Sequence, residues 1–389
     1  MDDKTSSVVR AIALNAIFGN EPKFSHHLID ALGSASAVFS LSEQERLELF
    51  GPYNARAAQI TPAALDAAQA EYEQLSARGC QFLDIFDEHY PEALRECPDA
   101  PLLLYVRSST PAAELFGDRP AVAIVGTRDQ SLYGQDSCRR IVRALAEAPA
   151  KPMVVSGLAL GVDITAHAAA LEGGLPTVGV SPVGVDDVYP HRHAAFVERM
   201  CATPGCALVT DYPPGTFPAA FSFIRRNRII AGLAGATVLI ESRIRGGGMI
   251  TARLAAGYGR DVYAVPGRID DVRSQGCNQL LKEQVAAPVA SPETLPVSLG
   301  LGRLKRTRSE DLGAAVRARF ATALPAKEVD RLVRLAQLIR AQRGLQFDEL
   351  CRETGFGYAD VARLAGQLEE ERFINIDLLQ RCTINVKIG

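Results

Sequence analysis

No run of apolar residues in this chain approaches the ~18 that a membrane-spanning helix needs. The first residues, Met1-Asp2-Asp3-Lys4, lack the basic-then-apolar order of a secretory leader. These two absences predict a cytoplasmic protein with no membrane partner. The eight cysteines lie between Cys80 and Cys382 without a CxxC pair, which argues against a zinc ribbon and a disulfide framework. Cys201 and Cys206, the closest pair, read as two buried thiols. An excess of one charge is missing as well: 42 Lys and Arg stand against 45 Asp and Glu, a net charge of −3, so the chain does not coat nucleic acid by bulk charge. No Gly-x-Gly-x-x-Gly with a later acidic ribose ligand is present, which removes the dehydrogenase reading. No Lys-Ser/Thr pair follows a glycine loop at Walker spacing, so ATP hydrolysis has no support. In His191-Arg192-His193 the central arginine repels a cation and no carboxylate completes a ligand set. Neither a metal nor a cofactor is expected.

With 389 residues the chain predicts two or three domains, and 47% hydrophobic against 22% charged residues supplies an ordinary globular core. Residues 5–75 read as short helices, among them Ser6–Ile17, Lys23–Leu32 and Ser42–Leu49. They suggest a helical domain over 1–76, either a SAM-like or helix-hairpin-helix unit or a plain packing module. From about residue 80, β-branched runs alternate with amphipathic stretches, the pattern of an α/β domain with a mostly parallel sheet, over 77–285. Its expected strands are Phe82–Phe86, Leu102–Val106, Ala121–Val125, Met153–Ser156, Thr177–Ser181, Ala207–Thr210, Thr237–Glu241 and Val262–Val265. The Ala, Pro, Val and Ser-rich stretch that turns basic at Arg303–Arg308 reads as a linker over 286–325. Helices near Ala326–Arg343, Gln346–Arg352 and Tyr358–Glu371, then runs at Phe373–Asp377 and Thr383–Ile388, suggest a winged helix over 326–389. Its third helix carries Arg363 but ends Glu369-Glu370-Glu371, so a dimer contact or docking to protein stands beside duplex binding.

Ligands of open α/β sheets bind beyond the carboxyl ends of the strands, and the unusual residues gather there. Gly126-Thr127-Arg128 follows one strand and can seat a phosphate on turn amides, with Arg128 adding a charged bond. Ser156-Gly157 follows another, and Asp163 and His167 come next at i,i+4, either an acid/base pair or a cap beside a packing histidine. Gly246-Gly247-Gly248 opens a helix with Thr251 in its first turn, a candidate anion cradle. Between Arg225 and Arg273, nine arginines face four acids. The segment Phe221-Ser222-Phe223-Ile224-Arg225-Arg226-Asn227-Arg228 concentrates them, and it reads either as a strand-binding surface with stacking phenylalanines or as core phenylalanines under a solvated charged face.

Taken in order, Tyr90-Pro91-Glu92-Ala93-Leu94, Val125-Gly126-Thr127-Arg128, Ser156-Gly157-Leu158-Ala159, Gly161-Val162-Asp163-Ile164-Thr165-Ala166-His167, Tyr189-Pro190, Arg226-Asn227-Arg228-Ile229-Ile230-Ala231-Gly232, Gly248-Met249-Ile250-Thr251-Ala252, Ala264-Val265-Pro266-Gly267 and Gly276-Cys277-Asn278 resemble the DNA-processing protein A family, also called DprA or Smf. The resemblance spans about residues 80–285. It implies an extended Rossmann core that binds and protects single-stranded DNA and helps to load the RecA recombinase in natural transformation, without turnover. It further implies a DNA pocket lined by Arg128, Ser156-Gly157, Arg226, Asn227, Arg228 and Gly246–Thr251, with Gly126, Thr127, Phe223 and Arg225 beside them. A homodimer contact through Asn278, Leu280 and Leu281 is also implied. The chain departs from the family pattern at Ile224, at Gly246-Gly247-Gly248, at Thr210-Asp211 and at His193, and the glycines remove hydroxyl donors from that loop. A second function stays in view: a nucleotide-processing enzyme of the nucleoside monophosphate hydrolase type, with Glu241 or Asp163 as its carboxylate.

Overall fold

Short runs rich in Val, Ile and Leu, too short for helices and bounded by Gly, Pro and Ser, assemble into one large sheet. The structure is a computed structural model describing residues 3–19, 21–51, 53–302, 309–321, 323–342, 345–371, 373–377 and 380–384. The chain divides into two units, Met1–Gly302 and Arg303–Gly389.

The first unit holds β1 (Gln81–Asp84), β2 (Leu103–Arg107), β3 (Ala121–Val125), β4 (Met153–Ser156), β5 (Thr177–Val180), β6 (Ala207–Thr210), β7 (Ala236–Leu239), β8 (Asp261–Ala264) and β9 (Ala287–Pro288). Their order across the sheet is β1-β2-β6-β5-β4-β3-β7-β8-β9. The neighbours from β6 to β9 run parallel, while β2 is antiparallel to β6 and β1 to β2. Strands β4 to β7 are buried along their whole length, which requires cover on both faces. Alternation along β3 shows how that cover is divided. Val122 and Ile124 pack with Ile141, Val142, Val162 and Ala166 of the helices Leu132–Glu147 and Val162–Glu172. Ala123 and Val125 face Ile229, Ile230, Met249 and Ala252 of the helices Ala220–Leu233 and Gly247–Gly257.

The amino-terminal helices Asp3–Phe18, Pro22–Leu32, Ala35–Ser40, Glu43–Phe50 and Pro62–Ser76 belong to the same unit. Phe18, Leu28, Ile29 and Val38 share a core with β1 and β2, and Asn15 Nδ2 donates to the Asp211 carbonyl at 2.8 Å. The helices expected before residue 76 are present, each within a few residues of its expected bounds.

The expected linker is a correction. Ala287–Pro288 adds β9 to the sheet, and the short helix Leu295–Ser298 packs on Leu132–Glu147, with Tyr263 Oη donating to the Ser298 carbonyl at 2.9 Å. Ser309–Phe320 is a helix whose Leu312, Val316 and Phe320 enter the core of the second unit. Low complexity hid these elements because each is short and buries only a few side chains. The basic run Arg303–Arg308 lies outside the described residues.

In the second unit the helices Ala326–Ala341, Phe347–Thr354 and Tyr358–Glu370 are joined by three antiparallel strands, β10 (Leu345–Gln346), β11 (Ile374–Ile376) and β12 (Arg381–Ile384), in the order β10-β12-β11. The last part of the expected run Thr383–Ile388 lies outside the described residues. Arg363 is held by Glu328 at 2.7 Å and Asp360 at 3.5 Å, so it sits in an ion-pair network on this unit's surface.

Candidate nucleic-acid interface

The sheet reverses its direction of growth at β3: β4, β5 and β6 extend it one way and β7, β8 and β9 the other. Chains leaving β3 and β7 therefore diverge, and a crevice opens beyond their carboxyl ends. A cleft of about 370 Å³ occupies that crevice. One wall is Gly126, Thr127 and Arg128 after β3; another is Phe223, Arg226 and Asn227 of the helix Ala220–Leu233. The floor is Gly246, Gly247, Gly248 and Thr251, where the helix Gly247–Gly257 begins. Three segments distant in sequence thus meet at one cleft.

The floor suits an anion. The first amides of a helix have no intrahelical acceptor, and the helix dipole adds positive potential there. Glycine is needed for the close approach: a Cβ at Gly248 would lie 2.7 Å from Leu239 Cδ1 and 3.2 Å from the Gly126 Cα. Bare backbone from the first and third glycine loops is consequently pressed together beneath the cleft. Asn227 and Thr251 line it while nine-tenths buried, and no hydrogen bond to another described residue occupies the side chain of either.

The cations differ from one another. Arg128 is exposed and lies 5.0 Å above the Phe223 ring, which meets Tyr189 edge-on at 5.3 Å. A narrow slot of about 60 Å³ continues on the far side of Phe223, among Leu158, Pro182 and Tyr189. Arg226 is buried, with Nη1 donating to the Val180 carbonyl at 2.5 Å. Arg243 and Arg245, after β7, also line the cleft; both are exposed, and among the described residues no carboxylate pairs with either. Sequence reasoning took Arg245 only as the residue that opens the glycine segment and gave Arg243 no part in the site. Their signal was positional, since they follow Glu241-Ser242 and lead into the glycine loop.

Four expected site residues stand elsewhere. Arg225 and Arg228 both turn to the buried Asp211 carboxylate, Arg225 at 2.8 Å, and Arg228 also donates to the Asp99 carbonyl. On a helix these two point away from the face bearing Phe223, Arg226, Asn227 and Ile230, and they share one carboxylate inside the fold. Ser156 is fully buried and donates to the Ile124 carbonyl at 2.6 Å. Gly157 does not cradle an anion but makes room: its missing Cβ would sit 2.3 Å from both Arg226 Nη1 and Asp163 Oδ2.

Asp163 and His167 do not form an acid/base pair. His167 is buried, with Nε2 donating to the Gly157 carbonyl at 2.7 Å and Nδ1 2.7 Å from Thr177 Oγ1, and burial pushes its pKa down to about 4. Asp163 turns instead to the cleft, where burial raises its carboxyl to about 6 against the pull of Arg226 and the Ala159 amide. Glu241 is also committed: Oε1 and Oε2 accept from Ser131 Oγ at 2.5 Å and Ser131 N at 2.9 Å, at the start of the helix Leu132–Glu147. Of the expected dimer contacts, Leu280 is wholly inside the core of its own chain, Leu281 packs against that core, and Asn278 ties down Gly267 through two hydrogen bonds. Leu280 therefore has no surface to offer a second copy.

Glycine amides, four arginines and an apolar ring surround the switch-point crevice of an α/β protein of the Rossmann-like class. Residues 81–299 match the family of DNA recombination-mediator protein A. The chain belongs to that family. It is 37% identical over 199 residues to the DNA processing protein DprA of Streptococcus pneumoniae, across 51% of this chain and 67% of that protein. With the Smf protein of Synechocystis it shares 30% identity over 315 residues, 76% of this chain and 78% of the relative. The crystal structure of DNA processing protein A from Streptococcus pneumoniae superposes with a TM-score of 0.53 at 33% identity, covering 65% of this chain and 89% of the other. The single-stranded-DNA-binding DNA processing protein A of Helicobacter pylori gives 0.50 at 28% identity, with 57% and 95% covered.

Proposed function

We propose that the switch-point cleft binds single-stranded DNA, and that the protein protects the strand and assists RecA loading in recombination and natural transformation. The observation that carries this reading is the pair of unneutralised arginines, Arg243 and Arg245, set beside the open amides of Gly247 and Gly248, with Arg128 across the cleft. Phosphates are seated by amides and guanidinium groups, and Phe223 supplies the flat apolar surface on which an unpaired base stacks. Similarity to the Helicobacter pylori protein, which binds single-stranded DNA, supports the same ligand class. The role calls for no turnover, metal or cofactor. In this reading the protein works in the cytoplasm as a homodimer, with the amino-terminal helices as a SAM-like module and the carboxy-terminal unit as a winged helix docking protein or duplex. The surface near Leu281 and Asn278 is the dimer contact within this proposal.

An electrophoretic titration with single-stranded and duplex oligonucleotides at two salt concentrations tests it: the single strand is preferred and the affinity falls steeply with salt. Equal binding of duplex, or salt-indifferent binding, contradicts it. The alternative, a nucleoside monophosphate hydrolase, keeps, among the described residues, Asp163 as its cleft carboxylate because Glu241 is held by Ser131. Free base released from nucleoside monophosphates, and lost on Asp163→Asn, is the result that favours it.

A further inference from the structure

We propose that Asp163 is an internal counter-ion of the cleft: in the free protein it balances part of the positive charge that a DNA phosphate later takes, so the strand binds together with one proton, taken up by the Asp163 carboxyl. The inference rests on the reading of the cleft as a single-strand site.

The geometry comes first. Asp163 lies in the first turn of the helix Val162–Glu172, lines the cleft and is 7% exposed. Its Oδ2 and Arg226 Nη1 converge on the space above Gly157, left free by the absent Cβ. The two charges share one environment without a hydrogen-bonded ion pair. Arg226 Nη1 is already given to Val180, and the carboxylate takes a long bond, 3.4 Å, from the Ala159 amide and a share of the Ser156 hydroxyl, whose hydrogen bond to the Ile124 carbonyl is 2.6 Å. A carboxylate so placed is weakly satisfied, and an arriving phosphate brings a second negative charge into its surroundings. Like charges at short range in a partly desolvated site repel, and protonating the weaker base relieves the repulsion.

The groups around Asp163 leave it as the one that responds. Arg226 faces it from the helix Ala220–Leu233 and Arg128 from the loop after β3, and both arginines keep their charge through the physiological range. Cys138 faces it from the helix Leu132–Glu147 as a neutral thiol, because burial pushes its pKa up to about 12. On its own helix, His167 is kept neutral by burial and is bonded to Gly157 and Thr177. His193, behind Leu158, gives Nδ1 to the Leu158 carbonyl. Asp163 itself, held at about 6 by burial, is ionised at pH 8 and half protonated at pH 6.

The sign follows from linkage. Binding that raises the Asp163 pKa strengthens as pH falls from above the bound value towards the free value, by at most about tenfold per pH unit. Fluorescence titration of a labelled thymidine 20-mer at constant ionic strength is expected to show Kd tightening by about tenfold from pH 8 to pH 6. Asp163→Asn should bind at pH 8 as tightly as the unchanged protein does at pH 6 and lose the dependence. Calorimetry of the unchanged protein at pH 7 in two buffers of different ionisation enthalpy should detect proton uptake on binding, a measurement that needs no variant. Affinity indifferent to pH, absence of proton uptake, a dependence that survives in Asp163→Asn, or weaker binding by that variant at pH 8 overturns the counter-ion. Failure to bind the 20-mer at every pH overturns instead the reading of the cleft on which the inference rests.

Discussion

Arginines of one basic segment are expected to separate into two classes when they are removed, and the separation can be sized from the structure. Arg243 and Arg245 stand exposed on the cleft without a carboxylate, whereas Arg225 and Arg228 are spent on a carboxylate buried in the fold. Each phosphate contact on a single strand contributes roughly −0.7 to the slope of log K against log salt. If Arg128, Arg226, Arg243 and Arg245 each neutralise one phosphate, the slope is about −2.8, and affinity drops about fifty-fold from 50 to 200 mM salt. Arg243→Ala with Arg245→Ala should halve that slope to about −1.4 and leave a drop of about sevenfold. The melting temperature should hardly move, since both side chains are solvated and unpaired.

Arg228→Ala is the contrasting perturbation. Its side chain is 6% exposed and Asp211 is wholly buried, so the change strips one of the two cations from an inaccessible carboxylate. Breaking a buried pair from one side costs about 3–5 kcal/mol, and the remaining bond from Arg225 puts this case at the lower end. Urea unfolding of the protein should show that loss, while the salt slope of whatever remains folded stays near its original value. A salt slope that falls on removal of Arg228 but not of Arg243 and Arg245 would falsify the assignment of the grip.

Other outcomes follow from single contacts. Gly157→Ala forces a methyl against Arg226 Nη1 and Asp163 Oδ2 and should weaken strand binding while lowering stability by about 1–3 kcal/mol, read by titration and by urea unfolding. Phe223→Ala should cost about 1–3 kcal/mol of binding to single strands, and Phe221→Ala, on a side chain 59% exposed and outside the cleft, little; equal effects of the two changes refute stacking on Phe223. Leu280→Ala should cost about 2–5 kcal/mol of folding stability, and dissociation of a dimer with unchanged stability contradicts its place in the core. Because burial raises the Asp163 carboxyl from 3.8 to about 6, the folded state holds the proton more tightly than the unfolded chain. Its contribution to stability is greatest below the unfolded value and is lost as pH rises through about 6, a trend that Asp163→Asn should remove from the pH profile of unfolding.

The strands were legible because the sheet is buried on both faces and writes itself as unbroken Val, Ile and Leu runs; observed ends differ by one or two residues, as at Thr237–Glu241 against Ala236–Leu239. β9 was not legible, since Ala287–Pro288 carries no apolar run and pairs only through two backbone positions. The glycine loops were legible as places where backbone must come close, but their purposes were not. Gly248 makes way for another backbone, and Gly157 for two charged side chains, and only the folded neighbours tell these apart.

Charge was the least transparent property. Arginines 225, 226 and 228 look alike in sequence, yet a helix sends 226 towards one neighbour and 225 and 228 towards another, and the deciding partner, Asp211, lies on a loop after β6 that no local pattern connects to them. The carboxylates show the same division: Glu241 closes a helix start, whereas Asp163 is left facing the cleft. A net positive cleft in a chain of net charge −3 therefore arises by subtraction. Arg225 and Arg228 share the buried Asp211 carboxylate within the fold. The cations left over stand where two strands diverge, and an anion that meets them there also meets the helix amides. This arrangement makes affinity for phosphate a property of position rather than of the number of arginines in the segment.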